Sequence, residues 1–221
     1  MQLDYHLDSV TGVWSQSEFQ SIDYSDGEEV EQRLQHIIVT ASDISSLSLE
    51  LRQHCKDWPT IYHLSGLRAN ILRPFEISEE HDVLEIGAGC GALSRYLGEC
   101  GASVLALEGS LRRACIARSR TRDLDNVTVV AEKLSAFEAP QQFDVVTLIG
   151  VLEYAALDDD VDEPAKAMLR KVVSMLKPDG FVILAIENQL GLKYFAGAPE
   201  DHIGVPMYGI DGRYRKTQPS H

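Results

Sequence analysis

The sequence predicts an α/β domain of three layers, a parallel sheet with helices on both faces. Three observations carry the prediction. Short apolar runs near residues 83–86, 102–107, 127–130, 143–149 and 181–186 alternate with stretches of helical periodicity, the pattern of βαβ units. Gly87, Gly89 and Gly91 follow the first run at once and open a helix at Ala92. An acid, Glu108, ends the second run, 21 residues after Gly87.

A chain of 221 residues suits one such domain preceded by an extension, which we place at 1–80, with 81–221 as the cofactor-binding domain. An apolar fraction of 44% is enough for a sizeable core. The net charge of −14 argues against a general nucleic-acid surface, because phosphate backbones need clustered Lys and Arg. The sequence holds no apolar run of 18 residues and no signal-peptide pattern at its start, so a cytoplasmic location without a membrane span is expected. Cys55, Cys90, Cys100 and Cys115 lack C-x-x-C spacing and read as reduced thiols, with no metal site implied.

In the extension, Leu3, Tyr5 and Leu7 alternate with polar residues before turn chemistry at Asp8–Gly12, which suggests a small hairpin through Trp14. Acids at Asp26–Glu29 mark a helix start, and Val30, Leu34, Ile37, Ile38 and Ala41 give it an apolar face. A second helix is expected over Ser46–Cys55, broken by Trp58-Pro59. A third is expected over Ser65–Leu72, stopped by Pro74. With 14 acids against 5 Lys or Arg, the segment reads as a solvated helical cap.

Beyond it, Val83, Leu84 and Ile86 form the first buried strand, and the glycines turn the chain so that a ligand can touch its main chain. The N–H groups opening the helix at Ala92 suit an anionic group. Gly87, Gly89 and Ala92 formally satisfy the dinucleotide fingerprint G-x-G-x-x-G/A. Glu85 opposes that reading, since an acid at the cofactor end of the strand suits an ammonium group and repels a pyrophosphate. Strand two spans Ala102–Leu107, and the Glu108 carboxylate can accept both hydroxyls of an adenosine ribose, whichever cofactor carries it. Gly109-Ser110 caps a helix over Leu111–Arg122, whose arginines read as a wet face. Strand three is Val127–Val130 and strand four Phe143–Ile149. The acidic run 157–163 lacks the glycine and alternating acids of a calcium loop and reads as a solvated loop. Pro164 starts a helix to Leu176, Lys177–Gly180 turns the chain, and Phe181–Ile186 is strand five.

Read from Glu85 as E-x-G-x-G, the glycine loop resembles motif I of the class I S-adenosylmethionine (SAM) methyltransferases. Gly150-Val151-Leu152-Glu153-Tyr154 closely matches that family's motif IV, and Leu176-Lys-Pro-Asp-Gly-Phe181 is another of its recurrent phrases. The resemblance spans about residues 80–188. It implies a Rossmann-like sheet of order 3-2-1-4-5 with SAM across its carboxyl ends. Glu132, with Lys133 and Leu134, would meet the adenine, while Gly150 and Val151 would lie under the methionine and the methyl group. The full set of expected cofactor contacts is Glu85, Gly87, Ala88, Gly89, Gly91, Glu108, Gly109, Ser110, Glu132, Lys133, Leu134, Gly150 and Val151. Tyr62–Ser65, Arg68–Asn70 and the tail Glu187–His202 resemble bacterial methyltransferase domains found with surface-polysaccharide (O-antigen-like) biosynthesis and glycosyltransferase modules.

Many relatives read Leu-Glu-His in motif IV, whereas this chain reads Leu-Glu-Tyr, which excludes a histidine base there. An alcohol acceptor needs a general base, and Glu187, His202 and Tyr154 are the candidates, with His63 a fourth. The family usually follows strand five with a helix and an antiparallel hairpin. The 33 residues after Asn188 are rich in loop formers, so the hairpin is expected to be missing and the chain to be a fragment of a longer protein. Two rivals stay open: an NAD(P)-dependent oxidoreductase, which lacks a second α/β unit for its substrate, and a non-catalytic SAM-binding scaffold.

Overall fold

The computed structural model describes residues 5–22, 26–157, 163–200 and 203–214. Seven strands form one sheet: β1 (Tyr5–Leu7), β2 (Trp14–Gln16), β3 (Asp82–Ile86), β4 (Ser103–Glu108), β5 (Val127–Ala131), β6 (Phe143–Ile149) and β7 (Leu176–Ala185). Their order is β1-β2-β5-β4-β3-β6-β7. The five strands from β3 on pair in parallel and give the predicted order 3-2-1-4-5. Around them lie α1 (Glu28–Thr40), α2 (Leu49–Arg52), α3 (Trp58–Leu64), α4 (Ala92–Glu99), α5 (Leu111–Arg120), α6 (Pro164–Ser174) and α7 (Leu192–Phe195).

Strand periodicity divides the core between the two faces of the sheet. Val83, Val104, Val129 and Val145 pack with Leu93 and Leu97 of α4 and Ala114 and Ala117 of α5. Their neighbours Leu84, Leu105, Val130 and Val146 pack with Val172 and Met175 at the end of α6. Burial on both faces explains why these strands are continuous apolar runs. At about 1.5–3 kcal/mol per buried aliphatic side chain, these layers are the main source of stability. Small residues set the spacing: a Cβ on Gly91 would stand 2.7 Å from the Ala117 Cα, so glycine lets α4 start against α5.

The described residues of the extension pack onto this frame. The hairpin β1–β2 joins the sheet, with Trp14 and Ser15 pairing in parallel with Val130 and Ala131. Helix α1 lays Leu34, Ile37, Ile38 and Ala41 against Ile116 and Cys90, as its periodicity requires.

Several local expectations are corrected. Trp58-Pro59, expected only to break the second helix, instead opens α3, a helix not expected there; Asp57 accepts the Thr60 N–H in a capping box, and proline suits a first turn. The second helix shrinks to Leu49–Arg52 because Ser48 caps it from within, accepting from the Leu51 N–H. Gly66–Ile71 is a 3₁₀ segment rather than an α-helix. Lys177–Gly180 belongs to β7, where the pairing register jumps from Phe143–Leu176 to Val145–Phe181, so the extra residues are absorbed as a bulge. The wet face expected on α5 is wrong for Arg113 and Arg120, which are 5% and 2% exposed. The buried Glu31 of α1 supplies the charge that lets Arg113 stay inside.

All four cysteines are free. Among the described residues, none cluster as a metal site and no helix is long and apolar enough to cross a membrane.

Candidate functional site

The site lies at the carboxyl ends of β3, β4 and β6, where the chain, having run outward through β4 and β5, returns to the other side of β3. Such a switch point leaves a crevice between loops that part in opposite directions. Here the crevice is a cavity of about 340 Å³. Its size suits a small-molecule ligand.

The glycine loop forms its floor. Gly87 and Ala88 both donate to the Leu107 carbonyl, at 2.9 and 3.0 Å, which ties the loop to the end of β4. Gly87 has φ of 74°, and a Cβ there would collide with Val151 Cγ2. That contact brings the β3 and β6 loops together. Gly89, with φ of 55°, has nothing within 4 Å of where its Cβ would stand. The open space lies over main chain that any ligand in the cavity can approach.

Three buried glutamates face the cavity, at the ends of three strands. Glu85 is 2% exposed and accepts from Ser94 Oγ at 2.5 Å. Burial pushes its carboxyl up to about 7, against the Ser94 hydrogen bond and the Arg68 charge, which pull it down. Glu108 accepts the N–H groups of Gly89 at 2.7 Å and Ser110 at 2.9 Å. A carboxylate offers about four acceptor positions, so room for further donors remains. Burial also raises the Glu108 carboxyl, opposed by those two N–H groups and by Arg113. Glu132, 4% exposed, accepts the N–H of Lys133 at 2.8 Å, and its own N–H holds the Glu108 carbonyl at 3.0 Å.

Of the residues expected to hold a cofactor, Glu85, Gly87, Ala88, Gly89, Glu108, Gly109, Glu132, Lys133, Leu134, Gly150 and Val151 line this cavity. Gly91 and Ser110 stand behind it, one at the N-cap of α4, the other donating to Glu108. Tyr154 and His63 also line it. Glu187 does not; it accepts from the Tyr194 hydroxyl at 3.1 Å and braces the tail. His202 and most of the acidic run lie outside the described residues.

The extension contributes more wall than its sequence announces. Ile22, Asp26, Tyr62, His63 and Arg68 all line the cavity, with Arg113 from α5. Asp26 Oδ2 meets His63 Nε2 and an Arg113 guanidinium nitrogen, each at 2.7 Å. Arg113 also donates to Glu31 at 2.9 Å. The His63 hydrogen bond and the Arg113 charge, outweighing burial, hold the Asp26 carboxyl below the ordinary range. Burial opposes the Arg113 charge, but Glu31 and Asp26 outweigh it, so its pKa is raised. These partners are far apart in sequence and carry no spacing motif, which is why the sequence did not reveal them. The Ile22 N–H donates to the Gly109 carbonyl at 3.0 Å, so the extension reaches over the end of β4 beside Glu108.

Comparison with known proteins places these loops in a family context. Residues 84–182 match the family model described as a methyltransferase domain. The ubiquinone biosynthesis O-methyltransferase of Stutzerimonas stutzeri (strain A1501) is 28% identical over 137 residues, 60% of this chain and 56% of that protein. The protein of the same name from Hydrogenovibrio crunogenus is 24% identical over 169 residues, 74% of this chain and 67% of that one. The chain thus matches between about half and two thirds of the length of these curated relatives. The crystal structure of coclaurine N-methyltransferase bound to N-methylheliamine and S-adenosylhomocysteine is similar at a TM-score of 0.48 and 20% identity, over 72% of this chain and 51% of that one.

Proposed function

We propose that this chain, whose residues 84–182 match a methyltransferase domain, uses SAM as its cofactor and transfers its methyl group to an oxygen or nitrogen acceptor. The observation that carries the reading is the row of three buried carboxylates, Glu85, Glu108 and Glu132, along one cavity floored by the glycine loop. The row matches the three polar parts of the cofactor. Glu85 takes the methionine ammonium, Glu108 the ribose hydroxyls with its remaining lone pairs, and Glu132 the adenine amino group. A pyrophosphate at the glycine loop would instead lie against Glu85, which disfavours NAD.

Bound SAM supplies an electrophilic methyl on a sulfonium, so the protein's task is mostly alignment. Val151, packed against Gly87, and Gly150 before it form the wall beside the methyl group in this reading. A hydroxyl acceptor must lose a proton, and Tyr154 and His63 are the candidate bases that reach the cavity. A glycan-linked acceptor rests on the likeness of the flanking segments alone. The relatives' names point to different acceptors, so none is carried over.

Calorimetry with S-adenosylhomocysteine (SAH) and with NAD tests the reading. Binding of SAH without NAD is expected; comparable heats for NAD, or none for SAH, would defeat it. Methyl transfer from labelled SAM by the full-length protein then separates an enzyme from a SAM-binding scaffold.

A further inference from the structure

We propose that Tyr5, on the first strand of the extension, is a positioning residue for purine recognition: its hydroxyl donates to the Glu132 carboxylate as that carboxylate receives the 6-amino group of a bound adenine. The inference rests on the proposed SAM site and deepens it, since the adenine is then read by the hairpin as well as by the parallel sheet. The register carries it. Tyr5 pairs with Gln16, and Ser15 with Ala131, so Gln16 and Glu132 each follow directly on a paired position. Tyr5, Trp14 and Val130 share one apolar cluster with Leu134 and Phe137. Strand alternation turns Gln16 and Glu132, two residues on from Trp14 and Val130, to that same face. Tyr5, Gln16 and Glu132 thus stand in a row across β1, β2 and the end of β5, where Glu132, Lys133 and Leu134 line the cavity.

The hydroxyl has no other task. It is buried, and among the described residues it has no hydrogen-bond partner. Phenylalanine would fill the same apolar space without leaving a polar atom dry, and a buried hydroxyl left unpaired costs stability. Glu132 stands just beyond hydrogen-bond contact. Burial and then the Glu132 charge push the Tyr5 hydroxyl above its ordinary 10, with Gln16 acting the other way, so it stays a neutral donor. On its own side, the Glu132 carboxylate accepts only the Lys133 N–H, on Oε1 at 2.8 Å, and its second oxygen is unclaimed among the described residues. A carboxylate held by one bond is free to tilt. A second donor fixes its plane, and a hydrogen bond to an ionised group is the stronger kind. Leaving donor and acceptor close but unjoined makes sense when the ligand's amino group draws the carboxylate into line.

The test uses Tyr5→Phe, which removes the hydroxyl and keeps the ring. Binding of SAH and of S-inosylhomocysteine, in which a 6-oxo group replaces the 6-amino group, is measured by calorimetry, with melting curves of the ligand-free proteins. Tyr5→Phe is expected to weaken SAH on the order of 10-fold and to leave S-inosylhomocysteine unchanged. It should melt no lower than the wild type, since the hydroxyl it lacks had no partner to lose. In a Glu132→Ala background the same substitution should have no further effect on SAH, because its acceptor is gone. Unchanged SAH affinity in Tyr5→Phe overturns the proposal. So does an equal loss for both nucleosides, which would make Tyr5 a general support of the hairpin. An undiminished loss in the Glu132→Ala background overturns it as well, since the hydroxyl would then act elsewhere. Failure of the wild type to bind SAH would instead refute the SAM-site reading, and this inference with it.

Discussion

Replacing Glu85 by Gln should make the empty protein more stable and the cofactor site worse. In the folded protein burial raises this carboxyl from its ordinary 4.5 to about 7. A folded-state pKa above the unfolded one means that the cost of ionisation is absent below about pH 4.5 and complete above about pH 7. At 1.36 kcal/mol per pH unit, that cost is about 3 kcal/mol at pH 8.5. Gln is nearly isosteric, stays neutral, and still accepts from Ser94 Oγ. Glu85→Gln should therefore raise stability by up to about 3 kcal/mol at pH 8.5, or about 6–12 °C in Tm for a domain of this size. At pH 5 the folded wild-type carboxyl is itself protonated, and the difference should shrink to about 1 kcal/mol or less. Thermal melts of both proteins at the two pH values, without ligand, make the comparison; taking the difference removes every other titrating group. Calorimetry with SAH should show the opposite sign, the variant binding more weakly at pH 8.5. Wild-type affinity should itself improve as pH rises from 6 to 8, as Glu85 ionises to meet the ammonium. A stability offset that is the same at both pH values would refute the reasoning, as would a variant less stable at pH 8.5.

Glu108→Gln should weaken SAH by about 2–4 kcal/mol, since a neutral amide loses charge-assisted bonds to the ribose, and should also loosen the Gly89 and Ser110 N–H groups it anchors; titration of the variant with SAH reads the loss. Gly89→Val should fold, because its Cβ site is open, at a strain cost of about 1–3 kcal/mol from the positive φ, yet lose SAH binding entirely; a melting curve beside a titration separates the two effects. Asp26→Asn should lower Tm at pH 7 by breaking the contact to His63 and Arg113. Because the Asp26 carboxyl is held below its ordinary 3.8, that penalty is full above this pH and fades as pH falls through the lowered value, which melts from pH 7 down to 3 would follow.

What the sequence disclosed was local. The glycine loop, Glu85 and Glu108 are fixed by spacing within one βαβ unit, and the strands of the parallel sheet announce themselves as apolar runs because both faces are buried. What it hid was long-range. Asp26, His63 and Arg113 meet across separations of 37 and 87 residues, and a buried arginine cannot be told from a wet one until its acid is found. Tyr62 and Arg68 read as members of a cap, although they line the cavity. Pro59 misled because proline both ends and starts helices, and the Asp57–Thr60 capping box three residues apart was the signal that would have decided it. Lys177–Gly180 carries true turn chemistry, which the sheet turned into a bulge.

The hairpin docked beside β5 also bears on the order in which the chain folds. Its turn is self-sufficient: Asp8 Oδ1 accepts the N–H groups of Val10 and Thr11, and Asp8 N–H reaches the Val13 carbonyl. It can close within microseconds, yet its partner Val130 lies at the far side of β3 and β4 in the chain. Closing so long a loop waits until the intervening strands have paired. The chain has two tryptophans, and they divide the observation between them. Trp14 is half-buried against the core of the sheet and should change environment when the hairpin docks, whereas Trp58 is 70% exposed in the folded protein. The protein thus carries its own optical clock for the last step of assembling the sheet, with an internal standard some forty residues away.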